Sequence, residues 1–86
     1  MAEYPSNFSF QASDSTLHWD GVTDAVEYQI EFTPDPLQIA WQIAYSGGND
    51  TFCPFNQRPG TYAIKGRGRM KGPWGIYGPI EYIDVP

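Results

Sequence analysis

The sequence is poor in the residues from which most catalytic and metal sites are built. It has one cysteine, Cys53, and one histidine, His18, among 86 residues. A disulfide needs two cysteines, and the common zinc sites need several cysteine or histidine ligands. Paired nucleophile and base residues usually include a histidine. We therefore predict that the protein is not an enzyme and has no catalytic residue, no metal and no cofactor.

Long apolar runs and helical patterns are also missing. Residues 1–10 have neither the basic stretch nor the apolar core of a signal peptide. No run approaches the roughly 20 apolar residues that a membrane helix needs, so we expect no membrane insertion. The one helix candidate, residues 36–45, holds β-branched and aromatic residues and precedes Gly47 and Gly48. We interpret it as a loop that leads into a strand.

Basic residues are absent from the first 57 positions. All five lie from Arg58 to Lys71, whereas eight of the ten acidic residues precede Arg58. The net charge of −5 disfavours nucleic acid as a partner. Within residues 61–69, Tyr62 and Ile64 alternate with polar or basic positions, a period of two that predicts a strand with one buried and one basic face. We define the basic row as Lys65, Arg67, Arg69 and Lys71.

Alternation and turn residues divide the chain into seven short strands. Aromatic residues make up 16% of the sequence, so a small core is feasible. We predict an all-β fold, a seven-stranded antiparallel Greek-key β-sandwich of the immunoglobulin-like kind, in a single domain over residues 1–86. The predicted strands are residues 8–12, 16–19, 26–32, 40–45, 51–55, 61–69 and 77–85.

The same alternation predicts which side chains point inward. In the first three strands these are Phe8, Phe10, Leu17, Trp19, Val26, Tyr28, Ile30 and Phe32. In the fourth strand one side carries Trp41, Ile43 and Tyr45. The seventh strand leaves two inward sets open, Ile80 with Tyr82 or Ile83 with Val85. A bulge near residues 78–79 or at residue 82 can reconcile them.

Five motifs, taken in order, resemble a fibronectin type III domain over nearly the whole chain. They are Pro5-x-Asn7-Phe8, Leu17-x-Trp19, residues 22–30 (VTDAVEYQI), residues 59–62 (PGTY) and the glycine- and proline-rich residues 72–79. The family's P-G-T-x-Y signature is one residue longer. Gln57 stands where the family has leucine, so we expect Phe55 to fill that space. Tyr62 resembles the corner tyrosine, whose hydroxyl binds back to the preceding loop.

The resemblance implies two sheets. The first, second and fifth predicted strands form one, and the fourth, third, sixth and seventh form the other. The third strand then lies beside the sixth, so Glu27 and Glu31 face the basic row across the strands, in a favourable but solvent-screened arrangement. The structural core that it implies consists of Leu17, Trp19, Tyr28, Ile30, Tyr62 and Ile64.

Two features are candidates for partner binding. The basic row is either a docking surface for an acidic partner or a solvated face balanced by Glu27 and Glu31. We expect Trp74 and Tyr77 to lie beside Trp41 and Tyr45. Three roles are open for these aromatic residues: they anchor an interface, they cover the end of the core, or they stack on sugars. The candidate partner-binding residues are Trp41, Tyr45, Arg67, Arg69, Lys71, Trp74 and Tyr77.

We therefore expect a non-enzymatic structural or protein-interaction module whose partner is a protein, with a glycan as the second class. A small domain of this family without an export signal resembles accessory proteins of bacteriophage virions. The expected setting is accordingly a virion, as capsid decoration or tail component. The alternative is an extracellular module cut from a longer cell-surface receptor or carbohydrate-active enzyme, where it mediates protein or glycan contacts.

Overall fold

The computed structural model describes residues 3–86, and within them every regular element is a β-strand. The strands lie close to their predicted positions, and the all-β fold class is confirmed. The seven strands are β1 (Ser6–Gln11), β2 (Thr16–Asp20), β3 (Glu27–Thr33), β4 (Gln42–Ser46), β5 (Phe52–Pro54), β6 (Gly60–Arg69) and β7 (Glu81–Val85).

Two antiparallel sheets form the sandwich. The smaller has the order β1-β2-β5 and the larger has the order β4-β3-β6-β7. This is the division that the resemblance implies, and it places β3 beside β6 over seven paired residues, from Glu27 opposite Arg69 to Thr33 opposite Ala63. Pro54 lies in β5 at the edge of the smaller sheet, the position in a sheet where a residue without an N–H is tolerated.

The core lies between the sheets and is dominated by aromatic rings. The Trp19 ring packs against Tyr28 and Tyr45, and the Phe55 ring packs against Phe32 and Tyr62 at centroid distances of 5.0 and 5.5 Å. Phe55 therefore fills the space that the resemblance assigned to a leucine. Burying each large apolar side chain contributes about 1.5–3 kcal/mol. All six predicted core residues are buried: Leu17, Trp19, Tyr28, Ile30, Tyr62 and Ile64.

The shortened P-G-T-Y turn still produces the corner contact. The Tyr62 hydroxyl donates a hydrogen bond to the carbonyl oxygen of Arg58 at 2.7 Å, which confirms the expected tie to the preceding loop. The ring of Tyr62 remains in the core while its polar end reaches the backbone, as a buried tyrosine requires.

Two predictions about the larger sheet are wrong. Val26 lies one residue before β3 and its side chain is exposed, although its N–H still bonds to the Arg69 carbonyl of β6 at 2.8 Å. In β4 the register shifts: Tyr45 pairs with Ile30, but Ile43 pairs with Glu31. This bulge turns Tyr45 inward and leaves Ile43 outward, so the two do not share a side.

The two inward sets of β7 are now distinguished. Ile83 and Val85 are buried, whereas Ile80 and Tyr82 are exposed. The strand begins at Glu81 instead of residue 77. Pro79, two residues earlier, has no N–H to donate to a neighbouring strand. The Glu81 carboxylate accepts the N–H groups of Asn7 and Phe8, at 3.1 and 3.0 Å, where β1 is irregular. This contact joins the edges of the two sheets.

Candidate functional site

The side of the larger sheet that faces away from the core, which we call the outer face, carries five of the seven predicted partner-binding residues: Trp41, Arg67, Arg69, Trp74 and Tyr77. Paired residues of neighbouring strands point to the same side, so the register arranges the outer face in rows. The rows are Thr33, Ala63 and Tyr82; then Ile43, Glu31 and Lys65; then Gln29 and Arg67; and last Glu27 and Arg69.

Cationic and aromatic side chains alternate across these rows. Lys65 Nζ lies over the Trp41 ring at 4.4 Å and over the Tyr77 ring at 4.6 Å. The Arg67 guanidinium carbon lies 4.7 Å from the Trp74 ring centre and 4.8 Å from that of Tyr77. Each such contact is attractive, by about 0.5–1 kcal/mol when exposed and more when desolvated. We call this series, Trp41–Lys65–Tyr77–Arg67–Trp74, the ladder.

Two elements position the ladder. The period of two in β6 puts Lys65 and Arg67 on one side, and the chain after β6 folds back to bring the aromatic residues over them. Residues 73–80, which we call the strap, are fixed to β6 by two backbone hydrogen bonds, from Gly75 N–H to the Gly68 carbonyl and from Gly78 N–H to the Gly66 carbonyl, each at 2.9 Å.

Hydrogen bonds to β3 hold the ladder in place. Arg67 donates through Nε and Nη2 to the Gln29 side-chain oxygen at 3.0 and 2.6 Å. The Tyr77 hydroxyl donates to the Glu31 carboxylate. Burial raises the pKa of the Tyr77 phenol most, because a phenolate at this position would be poorly solvated. The hydrogen bond to Glu31 raises the pKa further, because deprotonation would remove its donor, whereas the positive charge of Arg67 lowers it. Tyr77 therefore remains a hydrogen-bond donor at neutral pH.

The remaining members of the basic row differ in their environment. Arg69 forms an ion pair with Glu27, and it is the one ion pair found among residues 3–86. Lys71 is exposed and lines a shallow groove with Asp24. The pairing of acidic and basic rows that the resemblance implies is therefore found at Glu27 but not at Glu31, whose carboxylate receives the Tyr77 hydroxyl.

The structure brings together four of the seven candidate residues, Trp41, Arg67, Trp74 and Tyr77. Tyr45 is placed elsewhere, because the β4 bulge directs it against Trp19, and its hydroxyl accepts the N–H of Asp50 at 3.1 Å. Burial raises the pKa of the Tyr45 phenol. Lys65 was predicted only as part of the basic row, although it shares the strand parity of Arg67 and occupies the middle of the ladder.

Exposed apolar side chains flank the ladder, and sequence reasoning did not identify them as a group. Tyr82 and Ile43 are 63% and 53% exposed on the outer face, and Ile76 of the strap is 67% exposed. Tyr82 was missed because it formed part of one of the two inward sets left open for β7. Single exposed apolar residues are ordinary, but several around one surface are typical of a contact site.

The cation–aromatic contacts also bear on the sugar-stacking alternative. The Tyr77 ring is in contact with two cations, Lys65 at 4.6 Å and Arg67 at 4.8 Å from its centre. Trp41 and Trp74, at the two ends of the ladder, each have one ring face against a cation. A sugar stacks on a free aromatic face, so these cations reduce the surface that the ladder offers it.

Chemistry at other places is limited. Burial raises the pKa of the Cys53 thiol from 9.0 to about 11, which leaves almost no reactive thiolate at neutral pH. His18 lies on the smaller sheet, stacked on Phe52. Within residues 3–86, no three His, Cys, Asp or Glu side chains are grouped to hold a metal ion. The part of the chain that the structure describes contains no helix suited to crossing a membrane.

Comparison with known proteins identifies the fold. No protein-family model matches the sequence, and no curated protein matches it. Among solved structures, the chain is similar to a Fn3-like protein from Clostridium thermocellum, with a TM-score of 0.71 at 12% sequence identity. The match covers 96% of this chain and 92% of that chain. The chain therefore has a fibronectin type III-like fold, the architecture predicted from the five motifs.

Proposed function

We propose that the protein is a non-enzymatic protein-interaction module that binds its partner through the outer face of the larger sheet. One observation supports this most directly: the ladder and two backbone hydrogen bonds hold the strap against the sheet, and apolar side chains remain exposed around it. A preorganised surface loses little conformational entropy on binding. The fold itself is typical of modules without catalytic activity, but fold alone does not assign function.

The composition of the outer face fits a protein partner. Aromatic and arginine side chains, here Trp74, Tyr77 and Arg67, are enriched among the residues that dominate binding energy at protein interfaces. Tyr82 and Ile43 add exposed apolar surface on either side. A glycan is the weaker candidate, since cations already contact the aromatic faces.

The biological setting that we propose is a bacteriophage virion, where the module decorates the capsid or joins a tail component. The support is the resemblance of the sequence to small accessory domains. The second candidate is a module of a longer cell-surface receptor or carbohydrate-active enzyme, located outside the cell. The similar Fn3-like protein comes from a bacterium, which is compatible with both settings.

Photo-crosslinking tests the proposed surface. A benzoylphenylalanine residue is placed at Ile43 or Tyr82 in the native host of the gene, with Phe52 on the smaller sheet as an equally exposed control. We expect the same protein adduct from both outer-face positions and none from Phe52. An adduct from Phe52 alone would refute the proposed surface. A capsid or tail protein in the adduct would support the virion setting, and any other partner would refute that setting.

A further inference from the structure

Two cations of the ladder lack the carboxylate partner that the third basic residue of β6 has. Arg69 is paired with Glu27, whereas neither Lys65 nor Arg67 forms an ion pair with any residue from 3 to 86. Glu31 lies opposite Lys65 in the register, but its carboxylate accepts the Tyr77 hydroxyl. Lys65 and Arg67 thus lie half-buried without a carboxylate at ion-pair distance, on a molecule whose net charge is −5.

Arg67 also retains unused donors in a fixed orientation. A guanidinium has five N–H donors, and the only acceptor of Arg67 among the described residues is the neutral amide oxygen of Gln29. The rings of Trp74 and Tyr77 hold the guanidinium in place. A cation so positioned loses little side-chain entropy when a carboxylate binds it, and charge-assisted hydrogen bonds are about twice as strong as neutral ones.

The spacing of the two cations selects a particular ligand geometry. Lys65 and Arg67 are two residues apart on one strand, so their positions on the backbone are separated by roughly 6.8 Å. An extended peptide presents the side chains of residues i and i+2 on one side with the same separation. Two carboxylates at i and i+2 therefore match the two cations, whereas adjacent carboxylates point to opposite sides.

We propose, building on the proposed function, that the outer face recognises an extended acidic segment of the partner protein. Carboxylates at positions i and i+2 of this segment bind Lys65 and Arg67. Apolar side chains of the segment contact Ile43 and Tyr82, which flank the cations on the outer face.

The net charge of −5 does not prevent this recognition. All five basic residues lie in residues 58–71, and three of them, Lys65, Arg67 and Arg69, line the outer face. Even the thinnest dimension of the molecule is 22 Å, whereas the screening length at physiological salt is about 8 Å. The outer face as a whole is balanced, because Glu27, Glu31 and Asp84 lie on it beside these three cations. The excess of positive charge is confined to the rows of Lys65 and Arg67, which contain one carboxylate, Glu31, and this is the part that an acidic segment would approach.

Synthetic peptides test the proposal directly. A fluorescein-labelled eight-residue peptide of alternating glutamate and threonine is titrated with the protein, and binding is followed by fluorescence anisotropy. We expect saturable binding that weakens as salt is raised. A peptide with glutamine in place of every glutamate should bind at least about tenfold more weakly, as should a peptide with the same glutamates in adjacent pairs.

Protein variants locate the binding site. Lys65→Gln and Arg67→Gln should each weaken binding of the alternating peptide by about tenfold. Arg67→Lys should have an intermediate affinity, because lysine keeps the charge but loses the planar guanidinium that donates two hydrogen bonds to one carboxylate. Arg58→Gln removes the same charge from an exposed position off the outer face and should leave affinity unchanged. Thermal unfolding of each variant establishes whether the fold is retained. The comparison of the three peptides uses the unmodified protein, so it tests the proposal even if a variant does not fold.

Three results would overturn the proposal. These are equal binding of the glutamine peptide, equal loss of affinity in Arg58→Gln, or tighter binding of single-stranded DNA or inorganic phosphate than of the alternating peptide. If the acidic peptide fails while crosslinking from Ile43 and Tyr82 still gives one protein adduct, the acidic segment is wrong and the interaction surface stands. If both fail, the proposed function falls as well.

Discussion

The two faces of β6 are stabilised by different kinds of interaction. On the inner face, Tyr62 and Ile64 are buried, and Gly66 lies against the packed side chains of Ile30 and Pro5. On the outer face, Lys65 and Arg67 are half-buried and contact aromatic rings, and Arg67 also donates hydrogen bonds to Gln29 of β3. The inner face therefore depends on shape and volume, and the outer face on charge and stacking.

This difference separates stability from function. Close-packed cores respond strongly to changes in volume, whereas partly exposed charge contacts contribute less because water and salt screen them. Substitutions on the inner face should therefore change mainly the free energy of unfolding, and substitutions on the outer face mainly the affinity for a partner. Four predictions examine this comparison, from the largest expected effect to the smallest.

Removing core volume should have the largest effect. Ile64 is fully buried, and Ile64→Ala should lower the free energy of unfolding by about 2–5 kcal/mol through lost apolar burial and a residual cavity. Its outer-face neighbour is the matched control: Lys65→Ala should cost less, about 1–2 kcal/mol, through the loss of two cation–aromatic contacts. Urea unfolding followed by tryptophan fluorescence measures both. Equal losses would contradict the distinction between the two faces.

Adding a single methyl group to the inner face should cost less. A Cβ on Gly66 would lie 2.6 Å from Ile30 Cδ1 and 2.9 Å from Pro5 Cγ. Gly66→Ala should therefore reduce stability by about 1–3 kcal/mol. Gly68→Ala is the control on the same face, since its Cβ would first meet Tyr28 at an ordinary 3.4 Å. If thermal unfolding shows equal shifts for the two variants, crowding at Gly66 is not the cause.

Coupling within the ladder should be smaller again. A double-mutant cycle with Arg67→Gln and Trp74→Leu should give a coupling energy of about 0.5–2 kcal/mol in urea unfolding, because the guanidinium lies 4.7 Å from the Trp74 ring centre. The matched cycle pairs Arg67→Gln with Phe52→Leu on the other sheet and should give none. Strictly additive effects in the first cycle would show that the rings do not stabilise the cation.

The last prediction concerns how the free energy of unfolding depends on pH through Cys53 and Tyr77, and its effect at neutral pH is the smallest of the four. Burial raises the pKa of Cys53 from 9.0 to about 11, so between these values the folded state binds more protons than the unfolded state. Stability should be unaffected below pH 9 and fall as pH rises towards 11. The raised pKa of Tyr77 acts in the same direction. Cys53→Ala should flatten the decline seen in urea unfolding at pH 8 to 11. An unchanged slope would argue against a buried thiol.

Much of this fold could be predicted because local patterns and tertiary packing agree. The alternation in β3 and β6 placed Tyr28, Ile30 and Ile64 correctly in the core. The predictions failed at edges, where a bulge changes which side a residue faces. The shift between Ile30 and Glu31 in the β3–β4 register moved Tyr45 away from Trp41, and no local signal in the sequence marks that shift.

The candidate site was predicted only as a collection of residues. Four of the seven lie together in the ladder, but their contacts depend on how the strap folds back over β6. Residues 73–80 have no periodic pattern, and their position is determined by hydrogen bonds to Gly66 and Gly68. The sequence also could not show that Gln29 binds Arg67 and that Glu31 binds Tyr77, and docking by the basic row stays a prediction.

By itself, the sequence determined the strand pattern, the division of β6 into an apolar and a basic face, and the apolar residues of the core. These follow from the two-residue period of a strand, which is a local property of the chain. Only the tertiary structure decided which cation pairs with a carboxylate and which lies between aromatic rings. Two of those contacts, Glu27 with Arg69 and Trp41 with Lys65, join residues more than 20 positions apart. The contacts of Lys65 and Arg67 with Tyr77 and Trp74 depend on how the strap folds back over β6, so only folding brings these groups together.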